Sequence, residues 1–199
     1  MRSPTTGRWW PLSAPVVLDL AALDRSVYGA VAATPTPALD GVMRRLSAAA
    51  DHSKLSFAVA GLLALRGGSA RRAAVLGVAA IGLASATANL LGKNLVRRER
   101  PDRAGALVPE ARHVPMPSSA SFPSGHSASA FAFAVAVGAE LPSAAVPLAL
   151  LAATVAYSRV HTGVHYPGDV VAGSLLGVAA ATTVRLVGVG TFGVAPQAD

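Results

Sequence analysis

Three short polar clusters interrupt an otherwise apolar chain, and their side chains are the ones equipped for chemistry. The first runs from Lys93 through six residues to Arg100-Pro101. The second is Pro123-Ser124-Gly125-His126. The third is Ser158-Arg159, five residues, His165, three residues, and Asp169. Together they offer cations and helix-start backbone N–H groups, which suit a phosphate, and imidazoles, which attack phosphorus or carry protons. A carboxylate bonded to one ring nitrogen of His165 would fix its tautomer and leave the other nitrogen free to act.

Each cluster also has a plainer reading. Lys93, Arg97 and Arg100 fall at i, i+4 and i+7, one face of a helix that continues to Arg100, where Pro101 ends it. The same pattern describes a basic flank snorkelling at a membrane edge. Ser124 reads equally as an N-cap and Gly125 as a turn glycine. A charged His126 in the first turn would oppose the helix dipole, so a neutral ring fits better until a phosphate arrives. Asp169 can cap a helix as well as orient His165. His161 lies four residues before His165, but no nearby carboxylate completes a metal ligand set, so no metal and no cofactor are expected. His52 and His113 read as surface residues and Tyr157 as interfacial.

The elements that position these clusters are apolar helices. The 199-residue chain is 52% hydrophobic and 14% charged, with a mean hydropathy of +0.49. Soluble proteins average roughly 25% charged. An alanine-rich soluble helical protein would share the composition, but stretches 73–92 and 141–158 carry no charge at all. A span across about 30 Å of hydrocarbon needs roughly 20 such residues. The expected fold is therefore all-α: a polytopic membrane helix bundle with spans near 52–66, 73–92, 123–140, 142–158 and 168–188. A sixth span over 14–33 is weaker, because Asp19, Asp24 and Arg25 interrupt it. Residues 1–50 form an N-terminal interfacial segment, 51–190 the membrane domain and 191–199 a tail. Within the segment, 1–13 would lie at the surface with Trp9 and Trp10 at the interface. Val42, Met43, Leu46, Ala49 and Ala50 would face the bilayer from an amphipathic helix. The net charge of +7 is not a nucleic-acid footprint, since basic residues sit between apolar segments without a stacking surface. The absence of cysteine excludes disulfides and thiolate metal sites.

Following the chain back and forth brings the clusters together. Lys93 and Arg100 close the second span, and Ser124 to His126 open the third. Ser158 and Arg159 close the fourth, and His165 and Asp169 open the fifth. Alternating spans therefore put every cluster on one side of the bilayer.

The three clusters, in this order and spacing, resemble the signature of the type 2 phosphatidic acid phosphatase (PAP2) superfamily: Lys-x6-Arg-Pro, Pro-Ser-Gly-His, and Ser-Arg-x5-His-x3-Asp. No signature position departs from the pattern, and the helical layout extends the resemblance over roughly 50–190. The resemblance implies a metal-independent phosphatase in which His165 is the nucleophile, Asp169 its orienting carboxylate and His126 the general acid and base. Lys93, Arg100, Arg159, Ser124 and the Gly125 amide would hold the phosphoryl group. It also implies a membrane lipid phosphate as substrate, such as phosphatidate, phosphatidylglycerol phosphate or a polyprenyl phosphate or diphosphate. The family usually places this site on the extracytoplasmic face of the plasma membrane. Arg66, Arg71 and Arg72 in the opposite turn agree with that orientation, while Lys93, Arg97, Arg98, Arg100, Arg103 and Arg112 on the site side speak against it. A phosphotransferase variant and a non-hydrolytic anion or lipid transporter are the alternatives. The transporter reading lacks a polar path across the bundle.

Overall fold

A computed structural model describes residues 14–192, all of whose regular elements are helical. The expected surface stretch 1–13 with Trp9 and Trp10, and tail residues 193–199, lie outside the described residues. The helices are α1 (Ala14–Ala33), α2 (Pro37–Ala49), α3 (Lys54–Arg66), α4 (Gly68–Ala86), α5 (Lys93–Leu95), α6 (Gly125–Glu140), α7 (Pro142–His161) and α8 (Pro167–Phe192). A π-helical stretch, Thr87–Gly92, joins α4 to α5.

Among the described residues, three helices are long and apolar enough to cross a membrane: Gly68–Leu95, Pro142–His161 and Pro167–Gly188. They coincide with three of the expected spans. At the other two positions α3 has 13 residues and α6 has 16. At 1.5 Å per residue these are only about 20 and 24 Å long. Although shorter than the three membrane-length helices, α6 is enclosed by α4, α7 and α8 and forms the centre of the bundle.

Small side chains explain how α4, α6 and α8 approach so closely. Ala80 and Ala84 of α4, Ala128, Ala132 and Ala136 of α6, and Ala180 and Ala181 of α8 form one cluster. In α8, Gly173 and Gly177 leave no room for a side chain, because the Ser124 and Ala128 carbonyls stand where a Cβ would go. Lipid supplies no hydrophobic force between helices, so such close van der Waals contact carries the association. Larger residues fill the other side of α6, where Phe133 and Val137 pack with Leu63, Ile81 and Leu148. Leu62, Leu65, Leu150, Leu175 and Leu186 point outward and exposed, as a lipid-facing surface requires and a soluble one does not. At the end of the bundle away from the polar clusters, Arg72 pairs with Glu140 at 3.2 Å.

Two expectations about local structure change. The helix through Lys93 stops at Leu95, and Val96 is extended, so Lys93, Arg97 and Arg100 do not share a helical face. Arg100 instead reaches the site from irregular chain, while Arg97 is exposed. In α2 the inward face is Asp40, Met43 and Ser47, continued by the buried Ala50 just past its end, with Val42 and Ala49 turned outward. Polar partners set that orientation. Asp40 bonds Arg112 at 2.8 Å and His161 at 3.0 Å, and Ser47 accepts from Arg159. Hydrophobic spacing alone does not see such partners.

Candidate active site

The site forms where α5, α6, α7 and α8 end together and the 101–122 loop folds over them. Two contacts lock the clusters into register. The Ser124 N–H donates to the Asp169 carbonyl at 2.9 Å, joining the second cluster to the third. Gly92 abuts the Pro123 ring so closely that a Cβ could not fit, joining the first to the second. The result is a cavity of about 440 Å³ lined by Lys93, Arg100, Gly125, His126, Arg159 and His165. Ser119 and the stretch from Val114 to Pro117 form its outer wall.

His165 is buried between α7 and α8. Its Nε2 lies 3.3 Å from Arg100 Nη1 and its Nδ1 lies 3.5 Å from Asp169 Oδ2. A guanidinium only donates, so Nε2 must present its lone pair to Arg100, and Nδ1 carries the proton toward Asp169. That tautomer leaves the lone pair on the cavity side. Burial, the largest influence, lowers the imidazole pKa to about 4. The hydrogen bond to Asp169 opposes this, while Arg100 and Arg159 add to it. His165 is thus neutral near pH 7 and keeps its lone pair available.

Asp169 is fully buried, and both of its carboxylate oxygens accept hydrogen bonds. It accepts from Arg98 Nη1 at 2.9 Å and the Tyr166 N–H at 2.9 Å, and makes a short contact with the Ser121 hydroxyl. The Tyr166 bond caps α8, so Asp169 serves both as helix cap and as the partner of His165. Arg98 is held in turn by Asp24 at 2.6 Å and lies 4.1 Å over the Tyr166 ring.

The cations are positioned rather than loose. Arg100 donates to the carbonyls of Ser119 at 2.9 Å and Val164 at 2.8 Å. Lys93 Nζ bonds Asn89 Oδ1 at 2.6 Å and Ser119 Oγ at 3.2 Å. The π-helical turn before Lys93 carries Asn89 and sets this placement, a frequent use of such turns at functional sites. Arg159 Nη1 donates to Ser47 Oγ at 2.5 Å, and its buried Nε has no partner among the described residues. An unpaired guanidinium N–H beside a cavity is a donor awaiting an anion.

His126 opens α6 and bonds Asp51 Oδ1 through Nε2 at 2.8 Å. Ser124 is the N-cap of that helix: its hydroxyl accepts from the Ser127 N–H and hydroxyl, and its side chain is fully buried. The capping reading therefore accounts for the Ser124 side chain. Gly125 lines the cavity with backbone. His161 turns away toward Asp40 and Tyr157, not toward His165. His52 is exposed, and His113 is half-buried with Nε2 3.0 Å from the Val108 carbonyl.

Sequence reasoning missed Arg98, Ser119, Ser121, Asp51 and Ser47. None is at a fixed spacing from its partner; Asp51 and His126 are 75 residues apart. Arg98, inside the first cluster, and Ser121, two residues before Pro123, were near enough to a cluster to have drawn notice.

The sequence model of the PAP2 superfamily matches residues 73–190. Decaprenylphosphoryl-5-phosphoribose phosphatase of Mycobacterium tuberculosis is 42% identical over 105 residues, 51% of this chain and 54% of the relative. The enzyme of the same name from Mycolicibacterium smegmatis is 40% identical over 132 residues, 65% of this chain and 68% of the relative. The chain thus spans about half the length of the first curated relatives it matches. Among solved structures, a transmembrane PAP2-type phosphatidylglycerolphosphate phosphatase from Bacillus subtilis superposes with a TM-score of 0.67 at 23% identity. That match covers 87% of this chain and 88% of the other. LpxE of Aquifex aeolicus also gives 0.67, at 25% identity, covering 82% and 95%. Together with the three membrane-length helices, these likenesses make the chain a helical membrane protein.

Proposed function

We propose that this chain, which belongs to the PAP2 superfamily, is an integral membrane lipid phosphatase that works through a phosphohistidine without a metal ion. The observation that carries the proposal is the single cavity onto which Lys93, Arg100, Arg159, His126 and His165 converge from three separate clusters.

In the proposed mechanism a phosphate monoester or diphosphate enters with its oxygens toward Lys93, Arg100, Arg159 and the Gly125 N–H. The Ser124 hydroxyl supports the α6 start that carries that amide. Phosphoryl transfer asks a protein mainly for positioning and charge stabilisation, which fixed cations supply. His165 Nε2 attacks phosphorus while the bond to the leaving oxygen breaks, and His126 gives that oxygen a proton. Asp169 balances the charge that develops on the His165 ring. Water then attacks the phosphohistidine, His126 takes the water proton, and phosphate and the free His165 ring are released.

The substrate is a lipid phosphate whose chain stays in the bilayer beside the helix ends. What supports a polyprenyl-linked phosphate, ahead of phosphatidate and phosphatidylglycerol phosphate, is the name shared by the relatives that are 40–42% identical. The bundle spans the plasma membrane five or six times, and the site lies on the extracytoplasmic face. What supports this orientation is the engagement of the site-side arginines other than the exposed Arg97. Arg98 is paired with Asp24 and Asp169, Arg112 with Asp40, and Arg103 donates to the Val114 carbonyl. Arg66 and Arg71 in the opposite turn are exposed, and among the described residues no carboxylate pairs with them, as for a cytoplasmic anchor.

The experiment is phosphate release in detergent from a panel of polyprenyl and glycerolipid phosphates, with EDTA present. Activity that survives chelation and disappears in His165→Ala is expected. Full activity in that variant would remove His165 from the mechanism, and complete sensitivity to EDTA would remove metal independence.

A further inference from the structure

One carboxylate among the described residues lines the cavity, and neither the motifs nor the mechanism uses it. Asp51 lies outside all three clusters and outside the family match over 73–190. In a cavity that attracts phosphate, a negative side chain opposes substrate binding, so its presence calls for a compensating role. Its Oδ1 accepts from His126 Nε2 at 2.8 Å and lies 3.7 Å from Arg159 Nη1. The backbone that holds it is unusual: the next two residues, His52 and Ser53, have φ values of 55° and 58°, left-handed conformations at non-glycine positions. Consecutive strain of this kind persists where surrounding structure enforces it, and it gathers at functional sites.

The charges facing His126 show what Asp51 offsets. Arg159 from α7, Lys93 from α5, Arg100 from the chain after α5 and His165 from the α7–α8 loop line the same cavity. The positive end of α6 adds to them, because His126 stands in its first turn. The three cations and the helix end disfavour an imidazolium, while the neutral His165 ring adds no charge. Yet a general acid must hold its proton before the leaving oxygen arrives. A bonded carboxylate is the group that favours the protonated ring.

We propose that Asp51 is a positioning residue for His126, holding the ring through Nε2 so that Nδ1 keeps and delivers the proton of the leaving oxygen. This rests on the phosphatase reading above. When His126 has given up its proton, the same bond leaves the Nδ1 lone pair turned to the water that opens the phosphohistidine, and the proton returns from that water. Once a phosphate is bound, its own negative charge takes over part of the task. The effect of Asp51 is therefore largest in the free enzyme, which kcat/KM reports.

The test compares wild type, Asp51→Asn and Asp51→Glu for phosphate release from a lipid phosphate as a function of pH, after confirming that each elutes as the wild type does. In Asp51→Asn the descending limb of kcat/KM moves about one unit toward lower pH, an approximately tenfold loss on the alkaline side. The limb of kcat moves less, and Asp51→Glu restores the wild-type limb. An unmoved limb with a uniform loss of rate would reduce Asp51 to a structural role. An unmoved limb with a lower KM would make it a plug in the phosphate position, and either result overturns the proposal. A readout that needs no substrate is the NMR titration of 13C-labelled histidine. The His126 ring should lose its proton at lower pH in Asp51→Asn, and an unchanged titration overturns the proposal. A wild-type protein that releases no phosphate from any lipid tells instead against the phosphatase reading.

Discussion

Replacing Asp169 with Asn keeps the size of the side chain and removes its charge. The reaction puts a positive charge on the His165 ring as the phosphorus–nitrogen bond forms, with Asp169 Oδ2 3.5 Å from Nδ1. Two unit charges at that distance attract by about 5 kcal/mol at an effective dielectric of about 20. Arg98, 2.9 Å from the other carboxylate oxygen, already takes up part of that charge. Allowing it about half leaves roughly 2–3 kcal/mol, a loss of about 30- to 160-fold in kcat. KM should change little, because the neutral ring of the ground state does not need the charge. An amide N–H turned toward Nδ1 would also favour the tautomer that puts the ring proton on Nε2, facing the Arg100 donor 3.3 Å away. The assay is phosphate release in detergent at saturating substrate, with single-turnover rates to separate chemistry from product release. An Asp169→Asn enzyme that retains more than half of the wild-type kcat would refute the charge argument.

Further outcomes follow from the same geometry. Burial holds the His165 imidazole down at about 4, so protonation removes its lone pair only as the pH falls through that value. The acid limb of kcat/KM, corrected for the substrate phosphate, should therefore lie near pH 4; a limb set by an ordinary histidine near 6.5 contradicts the described environment. Arg112→Met leaves the buried Asp40 without its cation and should cost about 3 kcal/mol of stability, read as a lower melting temperature. Phosphate release per folded molecule should persist, and adding Asp40→Asn should recover much of the loss. An unchanged melting temperature would show that the buried pair does not matter. The chain has no cysteine, so Ser69→Cys and Ser118→Cys can each be labelled alone. Both positions are exposed, and reagents should reach them from opposite faces of the membrane. Labelling from one face would undo the topology.

The clusters were legible because they are local and because alternating helices force their ends together. Lys93, Arg100, Gly125, His126, Arg159 and His165 could be assigned to one face by following the chain, and the cavity collects all six. What supports them was not legible. Arg98 reads as one basic residue among several after a span, yet it joins Asp24 of α1 to Asp169 of α8. Asp40 and Ser47 sit in a segment whose apolar spacing suggested a membrane face, but their buried arginine partners turn that helix the other way. Such pairings link residues far apart in the chain, and no periodicity marks them. The early end of the helix at Leu95 escaped for a related reason. The π-helical turn and the packing of Gly92 against Pro123 are tertiary effects, whereas Pro101 was the only visible stop signal.

The phosphohistidine itself is the most direct measure of the account. Rapid mixing with a lipid phosphate labelled at the transferred phosphorus, quenching under alkaline conditions that preserve phosphohistidine, and mapping by mass spectrometry should place one phosphoryl group on His165. The label should be absent from His165→Ala and should build up in variants where water attack is slowed more than phosphoryl transfer. A label on any other residue, or rapid turnover with none at any time point, would contradict the assignment of His165 as the nucleophile.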